Sequence, residues 1–481
     1  MKKKILGWLS YLPAFFLIFP ATLYAQTVTW VTSTENKPWV QVKAKSSVKG
    51  IAEPGGIKLF PDEKLQEIDG FGGCFNEIGW EALLAISPEA RRKILQDLFS
   101  VQGANFSICR VPIGASDYAL SWYSYDDVPD DFSMRNFNID RDRYILIPYI
   151  KAAQLIRPDL KFWGSPWSPP IWMKVNNHYA LTSGGSNGNP QGDNRMASGD
   201  NIENNATAFR MEKGYLEAYA LYFSKYVKAY QKESIALSAI DVQNEIAYAP
   251  QWPSCTWHPE DLAWFIKKYL GPQFKKDSLK TQIWLGTINY GNPDYVRKIL
   301  NDTAAARYIA GVGFQWAGKS AIKAISKEYP GFRLMQTESE CGNGENNWKA
   351  AEHTWGLMTT YLNSGANSYM YWNMVLDQSG KSSWGWAQNS LVSVNNETKE
   401  VHYTPEYYLM KHLSHFVLPG AHMIRSSDGN DHLSFINPDG SIVLLLANLG
   451  TSEENVTVEV NQKTFMLSLK AKSFNTITWK P

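Results

Sequence analysis

Eight apolar, β-rich runs recur along this chain, each followed by a loop and a helix-like segment, and that alternation limits the fold more than any other feature. The runs fall at residues 65–72, 105–113, 160–165, 237–244, 282–288, 309–315, 332–338 and 367–373. Helix-start signals stand between them: Ser87-Pro88-Glu89, His258-Pro259-Glu260 and Asn292-Pro293-Asp294 each precede an amphipathic stretch. Proline suits the first turn of a helix, where an N–H would have no partner in any case. Parallel strands need long crossovers, usually helical, so eight such units predict a (β/α)8 barrel. A doubly wound open sheet is the rival. It needs a glycine-rich phosphate turn after an early strand, and "DGFGGCFNEIGW" has the glycines without that spacing.

From about Met423 the texture changes to period-two alternation, with turn punctuation at Pro438-Asp439-Gly440 and Asn448-Leu449-Gly450. This predicts an attached β-sandwich. The early stretch "TVTWVTSTENKPWVQVKAK" is expected to add strands to it, so that both ends of the chain build the second domain. The very start reads as a secretory signal peptide. Lys2, Lys3 and Lys4 precede an apolar run from Ile5 to Phe19, and Ala25 offers a small residue at a cleavage point. That run is short for a membrane span. The expected division is therefore a signal peptide at 1–25, N-terminal sandwich strands at 26–62, the barrel at 63–420 and the rest of the sandwich at 421–481. Export to the periplasm, cell surface or medium follows, with no membrane anchor after cleavage.

The net charge is +1, and the one basic block is that at residues 2–4, so nucleic acid is not an expected partner. Cys74, Cys109, Cys255 and Cys341 lie too far apart to read as a disulfide scaffold, and none has zinc-ligand spacing. His412 and His415 lie three apart with nothing beside them to complete a metal site. No metal or organic cofactor is expected. Residues 176–209 form a long polar loop, of the kind that is either functional or mobile.

In a (β/α)8 barrel, chemistry gathers at the C-terminal ends of the strands. The second run carries Arg110 and leads to Asp117, and the third leads to Trp167. The fourth ends in Asn244-Glu245, with Tyr248, Trp252 and Trp257 close behind. The sixth ends in Gln315-Trp316 and the seventh in Thr337-Glu338, with Glu340 just beyond; the eighth carries Tyr369 and Trp372. Two carboxylates at one mouth, among Trp, Asn and Arg, are what glycoside hydrolysis uses. One protonates the leaving oxygen while the other attacks the anomeric carbon or activates water. Glu245 as the acid needs a raised pKa, which negative charge on Glu338 supplies, and Arg110 can keep Glu338 ionised. Asn244 can bond a sugar 2-OH. The chain holds 19 Trp; most belong to a core, but some in loops suit flat sugar faces.

Seven ordered blocks then carry a resemblance: "DGFGGCFNE", "FSICRVPIGASDYALSWYSYDDVPDDFSMRNFNI", "GSPWSPPIWMK", "VQNE", "CTWHPEDLAWFIKKYLGP", "MQTESECG" and "YMYWNMVL". The chain resembles glycoside hydrolase family 30, in particular its glucosylceramidase-like members. The resemblance implies a barrel with a β-sandwich and a retaining mechanism. It implies Glu245 as acid/base and Glu338 as nucleophile, with Glu340 a nearby rival. It implies Asp117 and Trp167 as holders of the bound glucose, Arg110 and Asn244 as a polar ring around the nucleophile, and Trp372 as an aromatic wall. Gln315, Trp316 and Tyr369 complete the expected substrate-binding set. One departure bears on the substrate. Glucosylceramidase-like members carry H-x-Y after the sixth strand, and here Gln315 and Ala317 hold those places. An exported enzyme cleaving β-1,6-glucan is therefore the expectation. A glucosylceramidase or an exo-acting β-glucosidase or xylosidase is the alternative, and a carbohydrate-binding protein on a barrel scaffold is the non-enzymatic one.

Overall fold

The computed structural model describes residue 1 and residues 28–42, 56–184, 194–427, 429, 431–461 and 463–480. The expected signal peptide at 1–25 lies almost wholly outside the described residues, as does the middle of the long polar loop. Eight parallel strands close into a barrel: β1 Gly70–Cys74, β2 Ile108–Ile113, β3 Lys161–Pro166, β4 Leu237–Asp241, β5 Gln282–Ile288, β6 Ile309–Gln315, β7 Arg333–Glu338 and β8 Ser368–Asn373. Helices open where the polar–proline signals stand, at Pro88–Phe99, Pro259–Phe265 and Asp294–Leu300. The Ser87 hydroxyl accepts the Ala90 N–H at 3.2 Å, closing the first of these.

Two expected strands shift. The run at 65–72 divides. Ile57–Glu67 is a strand of the sandwich, antiparallel to His422–Ser426, and β1 begins only at Gly70. The sandwich thus keeps the chain past the boundary expected at 62. An unbroken β-rich run conceals the point at which it changes sheets, because both sheets favour the same residues. β4 ends at Asp241 rather than Asn244; beyond it the Gln243 carbonyl accepts the Thr287 N–H at 2.6 Å and the Asn244 N–H donates to the Pro166 carbonyl, outside the regular ladder.

The glycines of "DGFGGC" serve close packing. A Cβ at Gly72 would land on the Ile108 carbonyl oxygen of β2. Asn76 caps the helix Glu77–Leu84 through the Gly79 N–H at 2.7 Å and donates to Asn373 Oδ1 at 3.0 Å, closing β1 against β8.

The second domain is a nine-stranded sheet that folds over its own core of Trp30, Leu59, Ile424, Leu444, Phe465 and Trp479, among others. Val28–Thr34 pairs with Ser473–Trp479, so both chain ends build it. All four cysteines are buried free thiols. Among the described residues, no helix is long and apolar enough to cross a membrane.

Inside the barrel, side chains stack in layers set by the two-residue period of a strand. Ile108, Trp163, Ala239, Trp284, Met335 and Met370 form an apolar plug. Two residues further along, four of these strands place Arg110, Ser165, Asp241 and Trp372 above it. The apolar layer carries the barrel, and the polar layer is the floor of whatever lies at the mouth.

Candidate active site

That floor is organised around one cation. Arg110 is fully buried, and its guanidinium donates to Glu338 Oε2 at 2.9 Å, Ser165 Oγ at 2.7 Å, Asn244 Oδ1 at 2.6 Å and the Thr337 carbonyl at 3.3 Å. Its Cζ lies 4.4 Å from the centroid of the Trp167 ring, which stacks on Trp372 at 5.2 Å. The Ser165 hydroxyl donates a hydrogen bond to Asp241 Oδ2 at 2.9 Å, so a second buried acid lies behind the cation. A guanidinium so held cannot lose its charge, and breaking such a pair exposes a buried ion.

Glu245 and Glu338 both face a cavity of about 200 Å³ lined by Asp117, Trp167, Glu245, Trp252, Trp316, Glu338, Trp386 and Gln388. Glu338 ends β7, where the ladder to β6 slips between Gln336 and Glu338. Its second oxygen accepts the Trp316 indole N–H at 3.2 Å. Glu245 follows β4 with φ of 51°, and Trp316 follows β6 with φ of 48°. Both are non-glycine residues in the left-handed region, a conformation that costs on the order of 1 kcal/mol and persists only where surroundings enforce it. For Glu245 the enforcement is visible: its N–H donates to Thr287 Oγ1 at 3.1 Å, and the preceding Asn244 N–H donates to the Pro166 carbonyl at 2.7 Å.

Burial sets the electrostatics. It pushes the Glu245 carboxyl up to about 8, aided by the charge of Glu338 and opposed by Arg110 and by hydrogen bonds from Gln315 and Trp252. Burial leaves Glu338 raised as well, opposed by the Arg110 charge and by hydrogen bonds from Trp316, Arg110 and Gln315. Asp117 is raised well above the usual carboxylate range by burial and by both glutamates. Of the three acids, Glu338 alone has a buried guanidinium on its oxygen, which favours its charged form, whereas the raised Glu245 favours its proton.

The expected residues divide by depth. Asp117, Trp167, Glu245, Trp316 and Glu338 line the cavity. Arg110, Asn244, Gln315 and Trp372 lie beneath or behind it. Asn244 Oδ1 accepts from Arg110, Thr287 and Gln315, leaving its Nδ2 as the group available to a ligand. Gln315 bridges Asn244 and the Thr337 hydroxyl, which donates to it at 3.0 Å. Tyr369 is not brought to the site. Its ring packs against Tyr361 of the helix Trp348–Asn363, on the outside of the barrel. On β8, Met370 and Trp372 point inward, so the alternating period sends Tyr369 out. Glu340 is paired with Lys319 and lies 3.3 Å from His353, away from the cavity. Trp257 sits in the core on Phe209. Trp386 and Gln388 escape a reading of strand ends because they lie well past β8, in a loop that folds back over the mouth.

Comparison with known proteins agrees with this architecture. Residues 68–417 match the Glycosyl hydrolase family 30 TIM-barrel domain, and residues 420–477 match the family's beta sandwich domain. The chain is 28% identical to putative glucosylceramidase 3 of Caenorhabditis elegans, over 88% of this chain and 82% of that protein. It is also 28% identical to an endo-1,6-beta-D-glucanase of Aspergillus fumigatus, over 82% of this chain and 80% of that one. The solved structure of the endo-beta1,6-glucanase BT3312 superposes with a TM-score of 0.78 at 27% identity, covering 94% of this chain and all of that one. A closed barrel with its acids at one mouth, a sandwich drawn from both chain ends and matches spanning both domains lead to one conclusion: this chain belongs to glycosyl hydrolase family 30 and is a glycoside hydrolase.

Proposed function

We propose that the protein is a retaining hydrolase of β-glucosidic bonds and that its substrate is a β-1,6-linked glucan, cut within the chain. The observation that carries the mechanism is the contrast between two acids in one small cavity: Glu338 on a buried guanidinium, Glu245 with its pKa raised to about 8. In this reading Glu338 attacks the anomeric carbon, and the C–O bond to the leaving group breaks. Glu245 gives its proton to that leaving oxygen. Water then attacks the glucosyl ester, Glu245 takes the water's proton, and Glu338 leaves as carboxylate. Asn244 Nδ2 bonds the 2-OH, and Asp117, whose Oδ1 is buried without a partner, receives another hydroxyl.

Two features support glucan over lipid. Gln315 and Ala317 leave the wall beside Trp316 without a second ring, and the cavity is bounded by four indoles. The relatives named glucosylceramidase, at similar identity, favour the second reading, a glucosylceramidase. We extend the proposal to export, from the lysines and apolar run at the N-terminus; N-terminal sequencing of protein recovered outside the cell tests it.

The deciding experiment assays the enzyme on β-1,6-glucan, glucosylceramide, an aryl β-glucoside and an aryl β-xyloside, with NMR of the first-formed anomer. Oligosaccharides from the glucan with retained β configuration are expected. Turnover of the lipid alone refutes the substrate, an inverted first product refutes the mechanism, and binding without turnover by wild type and E338A alike refutes catalysis.

A further inference from the structure

We propose that four tryptophans running outward from the cavity, Trp252, Trp386, Trp384 and Trp122, form a track for the part of a linear glucan chain beyond the cleaved bond. The proposal rests on the glucan reading above and adds where the leaving-group side of the chain lies.

The rings are continuous. Trp252 and Trp386, which line the cavity, have centroids 4.7 Å apart; Trp386 and Trp384 are 6.4 Å apart with planes at 22°; Trp384 and Trp122 are 4.8 Å apart. Tyr179, buried, backs the row, stacked on Trp122 at 5.8 Å and 15°. Three different loops supply the four tryptophans, those after β2, β4 and β8. Packing alone does not account for them. Trp163, Trp167, Trp257, Trp372 and Trp479 are fully buried, whereas all four track residues keep part of their surface open to solvent. A contiguous row of half-buried rings at the cavity mouth suits a contact site, and indole faces suit the C–H faces of sugar rings.

Direction follows from the acid. Glu245 must face the leaving oxygen to protonate it, and Trp252 lines the cavity with Glu245 from the same loop after β4. Rings that continue from Trp252 therefore lie on the leaving-group side.

The track is also held in place before any ligand binds. The Tyr118 hydroxyl donates to the Gly380 carbonyl at 2.9 Å, and the Ser383 hydroxyl donates to the Ala119 carbonyl at 2.7 Å, tying the β2 loop to the β8 loop. Lys174, buried, donates to the Tyr179 carbonyl at 2.6 Å and the Ser254 carbonyl at 2.7 Å, tying the β3 loop to the β4 loop. Preorganised platforms lose little freedom on binding.

The test compares W122A and W384A with wild type on polymeric β-1,6-glucan, on glucosylceramide vesicles and on an aryl β-glucoside. Trp264→Ala, an exposed tryptophan on the helix Pro259–Phe265, is the control for loss of surface indole. Thermal melts identify any variant that is misfolded; the two single variants are independent, so one suffices. Each track variant is expected to lose about three- to tenfold more kcat/KM on the polymer than on the aryl glucoside, mainly through KM, the effect of one aromatic stacking contact. W264A loses nothing on either. Equal losses on polymer and aryl glucoside overturn the track alone, as does a loss confined to the lipid. A wild type that leaves the polymer intact overturns the substrate reading and the track with it.

Discussion

Replacing Glu245 with alanine separates proton donation from nucleophilic attack. In the wild type the carboxyl sits at about 8. About nine-tenths of the enzyme then holds the proton at pH 7 and about one-tenth at pH 9, so kcat/KM falls roughly tenfold per unit above that point. The polymer leaves as an alkoxide unless protonated, and E245A is expected to lose about 10²- to 10⁴-fold in kcat/KM on it, the range for one general acid. A dinitrophenyl glucoside leaves without a proton. On that substrate the first step should survive nearly intact, and its kcat/KM should show no basic limb. Breakdown of the glucosyl ester loses its base, so kcat and KM should fall together as the ester accumulates. The assay is kcat/KM against pH for both substrates, with burst kinetics on the second. Two results refute the reasoning. Equal losses on the two substrates would mean that Glu245 does not donate the proton. A basic limb that persists in E245A would belong to another group, with Asp117, also raised by burial, the first suspect.

Trp316→Phe keeps a ring but removes the indole N–H from Glu338 Oε1; the residue is partly open to solvent, so the acid limb of kcat/KM should move up by about one pH unit, at the lower end of what a hydrogen bond to a charge supports. Tyr369→Phe removes a buried hydroxyl that has no partner, and kinetics and melting temperature should stay within about 0.5 kcal/mol of wild type; a specific loss of activity would return Tyr369 to the site. Gly72→Ala puts a methyl group onto the Ile108 carbonyl oxygen and should lower stability by about 1–3 kcal/mol in denaturant melts; an unchanged midpoint would contradict the β1–β2 approach described here.

Much of the site is legible along the chain because barrels place chemistry at strand ends, and strands announce themselves by apolar runs. Glu338 closes β7 in register with the sequence reading. Glu245 falls after β4, and polar Gln243-Asn244 mark the turn. The error at Tyr369 has a simple origin. Four consecutive aromatic and apolar residues, Tyr369 to Trp372, give no phase, so in-facing and out-facing positions look alike until Met370 is seen in the plug. Gln315, by contrast, ends β6 fully buried behind the two glutamates, a depth that a strand end in the sequence does not reveal.

The sequence by itself determined the repeating unit, the closed barrel with its attached sandwich, and the place of two glutamates at one mouth, because each depends on local periodicity or on a residue's place at or after the end of a run. Only the tertiary structure gave the expected pairing its geometry, with Arg110 reaching across from β2 to within 2.9 Å of Glu338 on β7. It also decided that Trp122, Trp252, Trp384 and Trp386, far apart in the chain, meet at one mouth. Coulomb forces and ring contacts act over a few ångströms of space, and spacing along a chain does not encode that distance.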